Sequence, residues 1–314
     1  MNSNLRIAVI SGGTSAEASV SRVSAQGVID ALSVNYHHVL NMELDIHLAS
    51  KLHTFRPDLV FPVLHGPPGE DGTLQGFLEI LGYSYVGSDV HSSAMAMDKI
   101  IAKQIFSAAR LPLIDQLVVT RETPIANLVL DIQAQLGTYV VIKPARQGSA
   151  LGVMRITNEN EMHQGLEAAF KFDTRLLVEK RVDGREITVG VIDTPAGTRA
   201  FPVIEITTAS EGSWYDFEHR YTVGLSEHIM PAQLPADQTE RLQQIAIEAH
   251  QSLGCRDLSR ADFIVSDINT EFLLEVNTLP GMTPTSLYPD GARGYGLDFP
   301  ALVSYLVELA AARR

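Results

Sequence analysis

Two short stretches, Arg260-Ala-Asp262-Phe263 and Leu274-Glu275-Val-Asn277-Thr278, alternate polar with apolar residues on either side of the turn-rich segment 266–270. This alternation predicts two half-buried strands. A hairpin closed at the middle of that segment places Asp262 opposite Glu275 and Arg260 opposite Asn277. Two carboxylates about 4 Å apart repel by about 4 kcal/mol at an effective dielectric of about 20, so the pairing calls for a cation. Oxygen ligands favour magnesium over zinc, and an ordinary solvated hairpin face is the alternative.

Bulk composition limits the class of protein. The chain has 314 residues, so two or three domains are expected, and its formal charge of -13 offers no basic stripe for nucleic acid. Cys255, the single cysteine, excludes an internal disulfide and is expected to be a small buried residue. There is no signal-peptide pattern and no apolar run of about 18 residues. These features predict a cytoplasmic enzyme without a membrane partner.

Strand and helix patterns alternate through roughly the first 95 residues, which predicts an α/β fold with a parallel sheet at the N-terminus. Further strand patterns lie at 139–144, 176–180 and 186–192, and helical patterns lie at 159–170, 236–253 and 300–311. The predicted domains are 1–98, 99–186 and 187–314.

A glycine-containing loop, Arg146-Gln-Gly148-Ser149-Ala-Leu-Gly152, separates two strand patterns. Backbone N–H groups in such a turn form a concavity that binds anions, and Lys143 at the end of the preceding strand is within reach of the same phosphate. A surface turn and a strand-end lysine are the alternatives. Together with the acidic hairpin, the loop predicts a nucleotide bound with magnesium. A P-loop motif is absent from the sequence, and Gly12-Gly13 does not fit the dinucleotide-binding pattern.

Several single residues have two interpretations. Glu17 opens a helix, where it interacts with the helix dipole or holds a substrate ammonium group. Gly281, in a turn after the acidic hairpin, has an N–H that would join Arg260 in an oxyanion site. Ser286 is a surface serine or a donor to a carboxylate. Glu179 and Lys180 form a solvated strand end or contact a purine and its ribose.

Read in order, these motifs resemble the D-alanine–D-alanine ligases of the ATP-grasp superfamily. The resemblance spans nearly the whole chain and rests on the blocks Gly12-Gly13-Thr-Ser-Ala-Glu17, His65-Gly66 with Gly69-Glu-Asp-Gly72-Thr, Met97-Asp98-Lys99, Lys143-Pro with Gly148-Ser149, Glu179-Lys180, Trp214-Tyr-Asp-Phe-Glu with Tyr221, Arg260-Ala-Asp262 and Glu275-Val-Asn277-Thr-Leu-Pro-Gly281-Met-Thr.

The resemblance implies a three-domain ATP-grasp architecture, with ATP between the central and C-terminal domains. ATP would phosphorylate the first D-alanine, and the amine of a second D-alanine would attack the acyl phosphate to give a peptidoglycan precursor. Relatives are commonly homodimers. The implied site residues are Asp262, Glu275 and Asn277 for Mg²⁺ (Mn²⁺ as an alternative); Lys99, Lys143 and Arg220 for the phosphates; Glu179, Lys180 and Glu186 for the adenosine; Glu17 for the first ammonium; Arg260 and Gly281 for the oxyanion; Ser286 for the second carboxylate; and Ser149 with Tyr221 for closing the site under a lid at 210–227.

Three positions depart from the family pattern: Arg220 stands where lysine is usual, Ala150 where a second serine is frequent, and Ala18 where a larger residue is common. Tyr221 favours an amine nucleophile over a hydroxyl. Two other functions stay open. One is another ATP-grasp carboxylate–amine ligase or a D-alanine–D-lactate ligase, and the other is a non-catalytic nucleotide-binding regulator.

Overall fold

The N-terminal part of the molecule is a parallel α/β unit. In the computed structural model, which describes residues 2–15, 17–208, 224–283 and 286–313, its strands pair in the order β2-β1-β3. The predicted parallel sheet is therefore confirmed, and the predicted strand near Tyr85 adds a single parallel bridge to Val60. The elements are β1 (Arg6–Ser11), α1 (Ala18–Ser33), β2 (His38–Glu43), α2 (Leu48–Phe55), β3 (Leu59–Pro62), α3 (Thr73–Ile80) and α4 (Val90–Met97).

The middle of the chain forms a four-stranded antiparallel sheet in the order β4-β7-β5-β6. Two helices cover it, and their apolar faces meet the sheet in a core that includes Ile132, Val140 and Leu166. The elements are α5 (Lys99–Ala108), β4 (Gln116–Thr120), α6 (Ile125–Leu136), β5 (Val140–Pro144), β6 (Met154–Ile156), α7 (Glu159–Ala169) and β7 (Arg175–Lys180).

The remainder builds a larger antiparallel sheet in the order β11-β10-β8-β12-β13, with β9 beside β8. Helix α5 packs here, because Ala102 and Phe106 belong to the core beneath this sheet. The elements are β8 (Gly184–Ile192), β9 (Arg199–Ala200), β10 (Ile204–Thr208), β11 (Ser226–Ile229), α8 (Ala236–Ser252), β12 (Leu258–Ser266), β13 (Glu271–Asn277), α9 (Leu287–Tyr295) and α10 (Phe299–Ala311).

The predicted hairpin is formed by β12 and β13. Arg260 lies opposite Asn277 and Asp262 lies opposite Glu275, as the alternation predicts. A bulge follows Asp262, so that Phe263 pairs with Leu273. The bulge leaves the register of the two carboxylates unchanged.

The end of the chain returns to its beginning. Leu302 and Leu306 of α10 share one hydrophobic core with Ile7 and Val9 of β1. Arg313 pairs with the buried Asp257, whose carboxylate also accepts a hydrogen bond from the Gly87 N–H at 2.8 Å. Among the described residues, none of the helices combines the length and the apolar character that crossing a membrane requires.

Candidate active site

Two adjoining cavities lie where the three sheets meet. The first, of about 100 Å³, is lined by loops that follow β1, β3, β5 and β13. The second, of about 400 Å³, lies between the four-stranded and the large sheets. Both are lined by Lys99, Gln147, Ser149 and Glu275, so the two spaces share one wall.

Glu17 and Ser149 face each other in the first cavity. Glu17 lies just before α1, its side chain is buried, and it accepts a hydrogen bond from the Ser149 hydroxyl. The glycine loop is close to Glu17, because a Cβ added to Gly148 would lie 3.8 Å from Glu17 Oε2. The β1–α1 turn and the β5–β6 loop therefore meet at one carboxylate.

Two further titratable groups lie near Glu17 on the loop after β3. Burial, with the nearby charge of Glu17, raises the pKa of Glu70 to about 8, and its carboxyl accepts a hydrogen bond from the Gly66 N–H. Burial also lowers the pKa of His65. At neutral pH the Glu70 carboxyl is therefore mostly protonated and the His65 imidazole neutral.

The turn after β13 also lines the first cavity. The Ser286 hydroxyl accepts a hydrogen bond from the Thr283 N–H at 2.9 Å. A Cβ added to Gly281 would lie 2.7 Å from Ser286 Oγ, which is closer than real Cβ contacts allow. A side chain at position 281 would therefore have to displace the Ser286 hydroxyl, which lies beside the Gly281 backbone.

Each of the paired carboxylates of the hairpin contacts a cationic side chain. The Arg260 guanidinium donates from Nε and Nη2 to the two Asp262 oxygens at 2.8 and 2.7 Å. Lys99 Nζ lies 3.2 Å from Glu275 Oε2. The Thr188 hydroxyl also donates to Asp262, at 2.6 Å. The cationic partner that the Asp262–Glu275 pairing requires is thus partly supplied by the protein itself.

Asn277, the third predicted Mg²⁺ ligand, lies on β13 together with Glu275. Asn277 lines the first cavity, and its Oδ1 accepts a hydrogen bond from the Leu279 N–H at 2.8 Å. Asp262 lines the second cavity and Glu275 lines both. Carboxylate and amide oxygens gathered on neighbouring strands at this boundary fit the ligand preference of Mg²⁺.

The second cavity has a charged wall and an apolar wall. Lys143 and Lys180 come from the four-stranded sheet, and Glu186 comes from the start of the large sheet. Apolar side chains complete the wall, among them Ile114, Val141, Val153, Ile206 and Leu274. A volume of about 400 Å³ lies within the range of about 300–1,000 Å³ usual for ligand pockets.

Glu179 also lines the second cavity, where its side chain forms ion pairs with two lysines. Its carboxylate is only 1% exposed, and it pairs with Lys103 Nζ at 2.7 Å and Lys143 Nζ at 2.5 Å. Burial alone would raise the pKa of Glu179, but the two ammonium groups outweigh it and lower that pKa to about 2. The Glu179 side chain is therefore engaged by two lysines.

The structure brings together every predicted site residue that it describes. Arg220 and Tyr221, with most of the predicted lid, lie outside the described residues.

Neither the buried position of Lys103 nor the raised pKa of Glu70 was predicted from the sequence. Lys103 follows Lys99 by four residues, and this spacing places both lysines on one face of α5. Glu70 lies within the His65–Gly72 motif, but the cause of its pKa shift is its burial, which no local pattern reveals.

Comparisons with known proteins agree with this geometry. A family model described as D-ala D-ala ligase C-terminus matches residues 105–308, and one described as D-ala D-ala ligase N-terminus matches residues 41–88. A D-alanine–D-alanine ligase of Halalkalibacterium halodurans is 42% identical over 308 residues, which cover 98% of this chain and 99% of the relative.

Solved structures extend the likeness to the fold. The D-alanine–D-alanine ligase of Bacillus anthracis complexed with ATP superposes with a TM-score of 0.84 at 30% identity, covering 98% of each chain. A D-Ala:D-Ser ligase from Enterococcus faecalis gives a TM-score of 0.82 at 30% identity, covering 98% of this chain and 99% of that one. Family models, sequence relatives and solved structures converge on one assignment, and the chain belongs to the D-alanine–D-alanine ligase family of the ATP-grasp fold.

Proposed function

We propose that this protein joins two D-alanine molecules at the expense of ATP, through an acyl-phosphate intermediate, to supply peptidoglycan synthesis. The observation that carries this proposal is the shared wall of the two cavities, to which Lys99 and Glu275 both belong. An amino acid held in the first cavity by its ammonium group at Glu17 would have its carboxylate at the boundary with the second cavity. A nucleotide in the second cavity would bring its terminal phosphate to that same boundary.

The first step is transfer of a phosphoryl group to the carboxylate of the first D-alanine. Glu17 holds the ammonium group of this substrate, and Ser149 fixes the Glu17 carboxylate. Lys99 and Lys143 bind the phosphates, while Lys180 and Glu186 hold the adenosine. Glu179, expected at the adenosine, acts through its ion pair with Lys143. Positioning and charge neutralisation are the main contributions that a protein makes to phosphoryl transfer.

Magnesium fits the donor set of this site. Asp262, Glu275 and Asn277 would hold Mg²⁺, or Mn²⁺, which neutralises the phosphates and withdraws charge from the oxygens in transfer. In the structure, Arg260 and Lys99 pair with the same two carboxylates. These ion pairs reduce the negative charge that the two carboxylates present at the boundary.

In the second step, the amine of the second D-alanine attacks the acyl phosphate and phosphate leaves. Arg260 and Gly281 both line the first cavity, and the Arg260 guanidinium and the Gly281 N–H would donate hydrogen bonds to the tetrahedral oxyanion. Ser286, packed against Gly281, offers its hydroxyl to the carboxylate of the second substrate. Donors placed before the reaction in this way stabilise developing charge without reorganising. Arg220 is proposed to add a phosphate contact and Tyr221 to close the site.

The decisive experiment measures phosphate release from ATP and magnesium with D-alanine, with L-alanine, and with D-alanine plus D-lactate or D-serine, combined with mass detection of the product. Release with D-alanine alone and a D-alanyl-D-alanine mass are expected. Turnover only with a mixed pair would retain the mechanism and change the second substrate. ATP binding without any turnover would favour a nucleotide-binding regulator. A homodimer and a cytoplasmic location remain predictions, to be tested by sedimentation and by fractionation.

A further inference from the structure

Lys103 is a buried cation that lies behind the nucleotide cavity. Its side chain is 1% exposed, and it does not line either of the two cavities. Its ammonium group donates to the Leu273 carbonyl at 2.8 Å and pairs with Glu179 at 2.7 Å. Burying an ammonium group is unfavourable unless paired groups compensate its lost hydration. Packing alone therefore does not explain a lysine at this position.

Glu179 links this buried lysine to the cavity. Its second oxygen lies 2.5 Å from Lys143 Nζ, and the Lys143 side chain is 16% exposed and lines the cavity. One carboxylate is therefore shared between two ammonium groups, and the three side chains together carry a net charge of +1. If Lys103 were apolar, Glu179 and Lys143 would form a neutral pair, and Lys143 would attract a phosphate much less strongly.

We propose that Lys103 is a positioning residue for nucleotide binding, which occupies one oxygen of Glu179 and so leaves the Lys143 ammonium available to an ATP phosphate. This inference rests on the proposed function, because it takes the second cavity as the nucleotide site. The arrangement also holds Lys143 in place. In this triad of Lys103, Glu179 and Lys143, Lys103 contacts both Glu179 on β7 and the Leu273 carbonyl on β13, so it links the two sheets that enclose the cavity.

The charge of the triad can be varied in steps. It is +1 in the wild type, zero in Lys103→Met, +2 in Glu179→Gln, and again +1 in the Lys103→Met, Glu179→Gln double variant. Lys103→Arg keeps the charge. Lys171→Met is the matched control, because it removes one exposed positive charge from the same sheet unit. If the proposal is correct, affinity for phosphate follows the charge of the triad rather than the number of substitutions.

The readout is the preference for ADP over adenosine, measured by calorimetric titration in magnesium buffer near neutral pH. The ratio of the two affinities isolates the phosphate contribution, because any distortion of the adenosine site affects both ligands. Lys103→Met should lower this preference about tenfold or more, Glu179→Gln should raise it, and Lys103→Arg and Lys171→Met should leave it within about twofold. The double variant should return to the wild-type ratio.

An unchanged ratio in Lys103→Met, or a greater loss in the double variant than in the single one, would overturn the proposal in favour of a purely structural lysine. If Lys103→Met does not fold, the Glu179→Gln and double variants decide, because a structural role predicts a loss in each. A wild-type protein that binds neither ADP nor adenosine would instead refute the proposed function, so the two failures are distinguishable.

Discussion

The hydroxyl of Ser149 donates a hydrogen bond to the carboxylate of Glu17 across 132 residues of sequence. This contact joins the N-terminal parallel unit to the glycine loop of the four-stranded sheet. Ser149 and Ala150 both adopt left-handed backbone conformations, with φ of 47° and 58°. Two adjacent non-glycine residues in this region are costly, and the bond to Glu17 is one of the contacts that hold the loop there.

Ser149→Ala should lower kcat/KM for D-alanine about tenfold to a hundredfold and change KM for ATP less, since a hydrogen bond to a charged group is worth about 1.5–3 kcal/mol. Ser149→Gly removes the same hydroxyl but relieves the positive φ. We therefore expect an equal catalytic loss and a higher melting temperature than in Ser149→Ala. Wild-type activity in the glycine variant would show that loop conformation, not the hydroxyl, matters.

Arg260→Ala should lower turnover about 10²–10³-fold while affinity for ATP changes far less, because the proposed mechanism assigns Arg260 as a donor to the oxyanion. Arg260→Lys is the informative partner, since lysine keeps the charge but cannot form the two-pronged contact with Asp262. We expect the lysine variant to recover only part of the rate in single-turnover assays. An equal loss of ATP binding and turnover would identify Arg260 as a ground-state phosphate ligand.

Glu275→Gln should raise the magnesium concentration needed for half-maximal activity about tenfold or more, because it removes a charge from a proposed oxygen ligand of the metal. Glu271→Gln is a matched control on the same strand, where Glu271 pairs with Arg241 at 2.8 Å outside both cavities. Activity is titrated against magnesium for both variants. The same requirement in Glu275→Gln as in the control would place the metal elsewhere.

Glu70→Gln should change how stability depends on pH. Because burial and Glu17 raise the pKa of Glu70 from 4.5 to about 8, the folded protein keeps a proton that the unfolded chain releases. The stability from this group is present below pH 4.5 and is lost as the pH rises toward 8. Relative to the variant, the wild type should lose up to about 1.4 kcal/mol per pH unit across this window in denaturant unfolding. Parallel curves for the two proteins would contradict the assignment.

The hairpin shows what sequence reasoning predicts well. The strand register follows from the period-two alternation of polar and apolar residues, and for this reason the sequence alone predicts the Asp262–Glu275 pairing. Helix α5 begins after Asp98, whose carboxylate accepts hydrogen bonds from the N–H groups of Ile100 and Ile101, as is typical of an N-cap residue. Local patterns of this kind also located the glycine loop.

Helix α9 shows what sequence reasoning misses. It contains Pro289, Gly291 and Gly294, which local propensity assigns to a turn. Tertiary packing decides otherwise: a Cβ on Gly291 would lie 3.2 Å from Phe201, and one on Gly294 would lie 2.6 Å from Met230. The ion pairs of Glu179 were likewise beyond prediction, because a strand and a helix far apart in sequence supply its two lysines.

The last helix of the chain completes the core that the first strand begins, and this has a consequence for synthesis. Ile7 and Val9 share their core with Leu302 and Leu306, so the N-terminal unit cannot bury its full apolar surface until α10 has been synthesised. Domains otherwise tend to fold in order from the N-terminus as they emerge. Here the N-terminal unit is made before α10 but completes its core only together with that helix.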